Sequence, residues 1–121
     1  MSKKILVIED TEDNRQILRD LLGMAGYEMV EAHDGAEGVA KAAEHKPDLI
    51  LMDIQMPVMD GYEATRRIKA DAALRSIPIV AVTSYALSGD EAKTRAAGCD
   101  DYIAKPYSPR QMLAKVRGIV G

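Results

Sequence analysis

Six side chains carry chemistry that their immediate surroundings do not require: Glu9 and Asp10 after the run KILVI, Asp53 after DLILM, Thr83 and Ser84 after PIVAV, and Lys105 after DYIA. An aspartate leaving an apolar strand is poor for strand propensity and poorly suited to a core. If the four runs are neighbouring strands that point the same way, folding gathers carboxylates, hydroxyls and an ammonium at one sheet edge. Carboxylates packed that closely repel, and their pKa values rise unless a cation intervenes. Mg2+ meets that need, because it takes hard oxygen ligands and requires only one or two carboxylates besides waters. Singly, each residue has an ordinary explanation: an acid that caps the next helix, a strand-end hydroxyl, a solvated lysine. Their conjunction is the signal.

The elements that must position them can be read from periodicity. Apolar strand-like runs recur at residues 4–8, 27–32, 48–52, 78–82 and 101–104. Leu49 to Met52 show no polar alternation, which suits a strand covered on both faces, as in a parallel sheet. Helical spacing appears in Ile17, Leu18, Leu21, Leu22 and Ala25, closed by Gly26, and again in Ala36, Val39, Ala40 and Ala43. The pairs in DGYE (60–63) and SGDE (88–91) place a capping residue three before a glutamate, and SPRQ (108–111) adds proline at the first helical position. The last helix turns Met112, Leu113, Val116, Ile119 and Val120 inward and stops at Gly121. Alternating strands and helices imply right-handed crossovers and a sheet sandwiched between helix layers. The expected fold is α/β, a five-stranded parallel sheet, doubly wound and flavodoxin-like. In such sheets ligands sit beyond the carboxyl ends of the strands, where all the unexplained acids lie.

Composition bounds the rest. A chain of 121 residues that is 47% apolar can bury one core, so a single domain over residues 1–121 is expected, with no effector domain. Phe and Trp are absent, leaving an aliphatic and methionine core; the seven methionines read as core fillers before they read as adaptable binding surface. A net charge of −3 and the lack of a basic stripe argue against direct nucleic-acid binding. Cys99 cannot form an internal disulfide and reads as a small buried residue. The opening MSKKILVIED has too few apolar residues for a signal peptide or a membrane span, so a cytoplasmic location is expected.

With these residues in place, the chain resembles the receiver domains of bacterial two-component response regulators over its whole length. The resemblance rests on the acid pair in VIEDTEDN, on MDIQMPVMDG, VTSYA and DYIAKP, and on the matching intervals from Asp53 to Thr83 and to Lys105. Among single-domain receivers, LILMDIQMP and GDEAKTRAAGCDDYIAKP are most similar to the DivK-type cell-division regulators. The resemblance implies that Asp53 accepts a phosphoryl group from a sensor histidine kinase or a histidine phosphotransfer protein. It implies Mg2+ on Asp10, Asp53 and the backbone carbonyl of Gln55, with Glu9 assisting. Lys105 would pair with the phosphoryl oxygens, aimed by a cis bond to Pro106. Thr83 would donate its hydroxyl to the phosphoryl group, and Tyr102 would be the switch aromatic on a face formed by the fourth helix, fifth strand and fifth helix, read by a downstream protein. The implied protein is a signalling switch, not an enzyme in the ordinary sense, with no membrane partner, monomeric or dimerising on phosphorylation. Having Glu9 where many receivers have aspartate bears on metal affinity. Gln55 and Tyr85 lie where the family tunes the lifetime of the phosphate.

Two other readings are disfavoured by particular residues. An aspartate-based phosphohydrolase would place a second acid two residues beyond the nucleophile, where Gln55 cannot act as acid or base. A nucleotide-binding module of the same topology would carry a glycine-rich first loop, where this chain has EDTEDN.

Overall fold

The computed structural model describes residues 3–54, 56, 59–83 and 90–121, without the side chains of Asp90 and Glu91. Five strands alternate with five helices: β1 (Lys4–Ile8), α1 (Glu12–Met24), β2 (Glu28–Ala32), α2 (Gly35–His45), β3 (Leu49–Asp53), α3 (Gly61–Ala70), β4 (Ile79–Thr83), α4 (Asp90–Ala97), β5 (Asp101–Ala104) and α5 (Pro109–Val120). The strand order is β2-β1-β3-β4-β5, and every neighbouring pair is parallel. The chain therefore winds outward one way through β2 and the other way through β4 and β5. The reversal falls between β1 and β3, where the expected doubly wound fold opens its ligand crevice.

Register carries the functional residues to one edge. Ile8 lies opposite both Ala32 and Met52, Asp53 opposite Val82, and Thr83 opposite Ala104. The residues directly after Ile8 and Ala104, namely Glu9 and Lys105, consequently emerge on the same side as Asp53 and Thr83.

Alternation of side chains along the strands divides the core in two. Leu6, Ile8, Ile50, Met52, Ile79 and Ala81 pack with Ala42 of α2, Ala64 and Ile68 of α3 and Ala97 of α4. Ile5, Val7, Leu49, Leu51, Val80 and Val82 pack with Leu18 and Leu22 of α1 and Met112 and Val116 of α5. All five residues of β3 and of β4 are buried, as continuous apolar runs covered on both faces must be. Met52 and Met112 are fully enclosed, whereas Met24 is exposed at the end of α1. Cys99 is buried beside the Thr65 hydroxyl, and burial pushes its thiol up.

Two helices differ in facing from the periodicity. In α1, Leu18 and Leu22 are buried but Ile17 is 54% exposed, because neighbouring apolar positions on a helix diverge by about 100° and only one stripe can face the sheet. In α2 the buried positions are Gly35, Gly38 and Ala42, while Ala36, Ala40 and Ala43 face outward. The glycines decide this: a Cβ on Gly38 would press into the Ile8 side chain, so α2 packs against β1 through a position that carries no side chain.

The caps expected at Asp60 and Ser108 form, Asp34 supplies one at the start of α2 that the sequence reading did not name, and Thr11 at the start of α1 makes no side-chain cap hydrogen bond. Asp34 accepts from the Glu37 N–H at 2.7 Å, and Asp60 accepts from the Glu63 N–H at 2.9 Å. Ser108 and Gln111 form a reciprocal capping box with Pro109 at the first helical position. The cap expected at Ser88 lies outside the described residues. Among the described residues, no helix is long and apolar enough to cross a membrane.

Candidate functional site

The site grows from the ends of β1, β3, β4 and β5. The Glu9 N–H donates to the Ala32 carbonyl at 3.0 Å, so the ladder between β1 and β2 carries one residue past the strand before the chain turns into α1. Asp53 closes β3, and the Ile54 N–H continues to the Val82 carbonyl at 3.3 Å. At the start of α3 the Gly61 N–H donates to the Ile54 carbonyl at 3.1 Å. A Cβ on Gly61 would lie 2.7 Å from Ile54 Cα and would also strike the Asp53 carbonyl, so only glycine allows α3 to start this close beneath Asp53.

Glu9 and Asp53 are only 4% and 3% exposed, unusual for carboxylates, while Asp10 is exposed. One carboxylate oxygen from each of the three can be chosen so that all lie within 4.8 Å of one another. Lys105 reaches into this group from the other side: its Nζ is 3.3 Å from Asp53 Oδ1 and 3.6 Å from Glu9 Oε2. Its peptide bond to Pro106 is cis, and its N–H donates to the Thr83 carbonyl at 2.8 Å. Thr83 itself is buried at the end of β4.

The electrostatics of Glu9 show how a buried acid is tolerated. Burial pushes its carboxyl up, but the amide of Asn14 at 3.1 Å, the charge of Lys105, Asp53 and the Thr11 N–H at 3.2 Å together hold it below the usual glutamate range. Burial also pushes the Tyr107 phenol up, and the Glu9 charge adds to that shift. Three convergent carboxylates with hard oxygen donors suit a divalent ion of the Mg2+ type, and soft-metal ligands are absent from the cluster.

Tyr102 is half-buried on β5 opposite Ala81 and packs against the core on the α2, α3 and α4 side. It lines an open groove of about 900 Å3 between α4, β5 and α5, with Arg95, Asp101, Gln111, Lys115 and Ile119. A smaller hollow of about 590 Å3 lies beside the site, lined by Asn14, Ile17, Lys105, Pro106 and Tyr107.

The structure thus brings Glu9, Asp10, Asp53, Thr83 and Lys105 to one edge and leaves Tyr102 further back on β5, two positions before the Ala104 that lies opposite Thr83. Gln55, Ser84 and Tyr85 lie outside the described residues. Sequence reasoning passed over Asn14 and Arg15, whose side chains hold the Glu9 carboxylate and the Glu9 carbonyl respectively. Their signal was placement: the first turn of a helix that begins two residues after an acid pair points its polar side chains back at that pair.

A family model described as the response regulator receiver domain matches residues 5–117. The polar-differentiation response regulator DivK of Brucella anthropi is 43% identical over 121 residues, covering 100% of this chain and 98% of that protein. The receiver domain of the sensor histidine kinase PA1611 of Pseudomonas aeruginosa, solved with a magnesium ion coordinated in its active-site cleft, superimposes with a TM-score of 0.93 at 36% identity, covering 100% of this chain and 99% of that one. The chemotaxis protein CheY4 of Vibrio cholerae gives the same TM-score of 0.93 at 29% identity, covering 98% and 99% of the two chains.

Proposed function

This chain belongs to the response regulator receiver domains, and on that premise we propose that it is a single-domain phosphorylation switch whose phosphoacceptor is Asp53. Receiver domains are signalling switches that work with histidine kinases and downstream targets. The observation that carries the assignment to Asp53 is its position: a carboxylate 3% exposed at the end of a rigid strand, 3.3 Å from a lysine ammonium and within reach of two further acids. The match to the response regulator DivK over 98% of that protein's length supports a stand-alone receiver, and a cytoplasmic location and signalling through protein contacts are part of the same proposal.

A carboxylate needs little activation when the phosphorus already carries a good leaving group. An Asp53 carboxylate oxygen forms the new O–P bond as the P–N bond of a partner phosphohistidine breaks, and the imidazole leaves with the electron pair. Glu9, Asp10, Asp53 and the backbone carbonyl of Gln55 are the residues that would hold Mg2+. That ion supplies charge neutralisation for the phosphoryl oxygens when bound. The bound magnesium of the PA1611 receiver supports this choice. Lys105 shifts its pairing from the Asp53 carboxylate to a phosphoryl oxygen as a point charge, and the Thr83 hydroxyl donates to another. Because Lys105 is bonded through its backbone to Thr83, and Thr83 lies opposite Ala104 on β5, a movement of Thr83 is transmitted to the strand that carries Tyr102. A downstream protein then reads the α4, β5 and α5 groove, a local charge event converted into repacking.

The test is phosphotransfer from a histidine-phosphorylated phosphotransfer domain, monitored as loss of the donor's label. Transfer to the native chain that vanishes in Asp53→Asn and persists in Asp10→Asn at raised Mg2+ supports the assignment. Equal labelling of Asp53→Asn would move the phosphoacceptor elsewhere.

A further inference from the structure

The acid pair is held by an arginine that takes no part in the chemistry. Arg15, on the first turn of α1 and only 14% exposed, donates from Nη1 to the Glu9 backbone carbonyl at 2.6 Å. The rest of its guanidinium is clamped: Nη2 lies 2.6 Å from Glu12 Oε2, and Nε lies 3.4 Å from Glu31 Oε1 on β2. Glu31 is fixed in turn by Arg19, whose Nε and Nη2 contact its two oxygens at 2.8 and 2.6 Å, and Arg19 Nη2 also reaches Glu12 Oε1 at 3.1 Å. Two arginines and two glutamates therefore tie α1 and β2 together and direct one charged donor at the main chain between Glu9 and Asp10.

Resting on the Mg2+ reading above, we propose that Arg15 is a positioning residue that preorganises the Glu9–Asp10 turn for the metal. With the Glu9 N–H fixed to Ala32 and its carbonyl fixed to Arg15, both ends of the peptide that aims the Glu9 side chain are held, and the turn into Asp10 has little freedom. Charge-assisted hydrogen bonds from a planar fork are the strong and directional kind. The two glutamates balance the two arginines, so the cluster supplies geometry to the acid pair without adding net positive charge beside a cation site.

A positioning role is separable from a plain charge effect by its sign. A cation near a metal site disfavours the metal, so removing Arg15 for electrostatic reasons alone would tighten Mg2+ binding. Removing a residue that orients the ligands loosens it, by about tenfold or more where outer-shell partners have that role. The experiment is a chemical-shift titration of the native chain, Arg15→Met and Arg15→Lys with MgCl2 at constant ionic strength, with amide exchange of the metal-free proteins measured alongside. Arg15→Met is expected to bind Mg2+ about tenfold more weakly, with faster exchange at the Asp10 and Thr11 amides and unchanged protection at Leu18 and Leu22. Arg15→Lys keeps the charge but cannot span Glu9, Glu12 and Glu31 at once, and it is expected to fall between. A folded Arg15→Met that binds Mg2+ as tightly as the native chain, or more tightly, overturns the proposal, as does unchanged exchange at Asp10 and Thr11. Should Arg15→Met not fold, Glu31→Gln, which loosens the clamp from β2, must show the same weaker binding and faster exchange, and native behaviour there overturns it equally. A native chain that takes up no Mg2+ would instead defeat the metal reading, while the exchange comparison still decides the role of Arg15 in holding the turn.

Discussion

Lys105 Nζ stands between two buried carboxylates, 3.3 Å from Asp53 Oδ1 and 3.6 Å from Glu9 Oε2. Ion pairs at such burial matter chiefly through the loss of one partner, since the remaining charge then has neither water nor a counter-ion. The lysine therefore serves the resting domain as well as the proposed phosphorylated state.

Replacing Lys105 by Ala tests that double role. In metal-free buffer the variant should lose about 1–3 kcal/mol of stability, because two desolvated acids lose their cation. Saturating Mg2+ should recover part of the loss by neutralising the same acids. Urea unfolding with and without Mg2+ measures both. An identical loss in the two conditions would mean that the lysine and the metal act on different groups.

Gly61→Ala probes how tightly α3 is packed beneath Asp53. The added methyl group meets the Ile54 backbone and the Asp53 carbonyl, neither of which can rotate away. Overpacking of this kind costs about 1–3 kcal/mol. Because the displaced residue is Asp53 itself, Mg2+ affinity should fall together with the unfolding midpoint. A stable variant with native affinity would show that the β3 end tolerates movement.

Acid stability should depend on Asp101, at the foot of the α4, β5 and α5 groove. Burial pushes its carboxyl up, but Lys115 at 3.0 Å, the Tyr102 N–H at 2.8 Å and Arg95 outweigh this and hold it below the ordinary aspartate range. A carboxyl depressed on folding contributes stability that is complete above its unfolded value of about 3.9 and disappears as pH falls through the lower folded value. Denaturant unfolding from pH 5 downward should show a slope that is shallower in Asp101→Asn. The effect should be modest, since both Asp101 and Lys115 are about a third exposed. Parallel slopes in the two proteins would remove Asp101 from the balance.

Much of this site was legible in the sequence because a parallel sheet has a simple rule: apolar runs of similar length end at the same edge, and the residue that ends or succeeds each run is placed there. Glu9, Asp53, Thr83 and Lys105 obeyed it. The facing of α2 was not legible, because the periodicity was counted on alanines while the packing was decided by Gly35 and Gly38, whose contribution is the absence of a side chain. Ile17 was misplaced for a related reason, since two adjacent apolar residues compete for one stripe and the sequence does not say which wins. The Arg15 clamp was hidden more deeply. Its partners Glu12 and Glu31 are 19 residues apart in sequence and meet only because β2 lies beside β1, with Glu31 opposite Val7.

The central claim is that Asp53 is a metal-assisted phosphoacceptor. Its most direct test is intact-mass measurement after exposure to acetyl phosphate, with and without Mg2+, on the native chain and on Asp53→Asn. The account predicts one added phosphoryl group on the native chain, only with Mg2+, and none on the variant. A phosphoryl gain that survives in Asp53→Asn, or that ignores Mg2+, would contradict it.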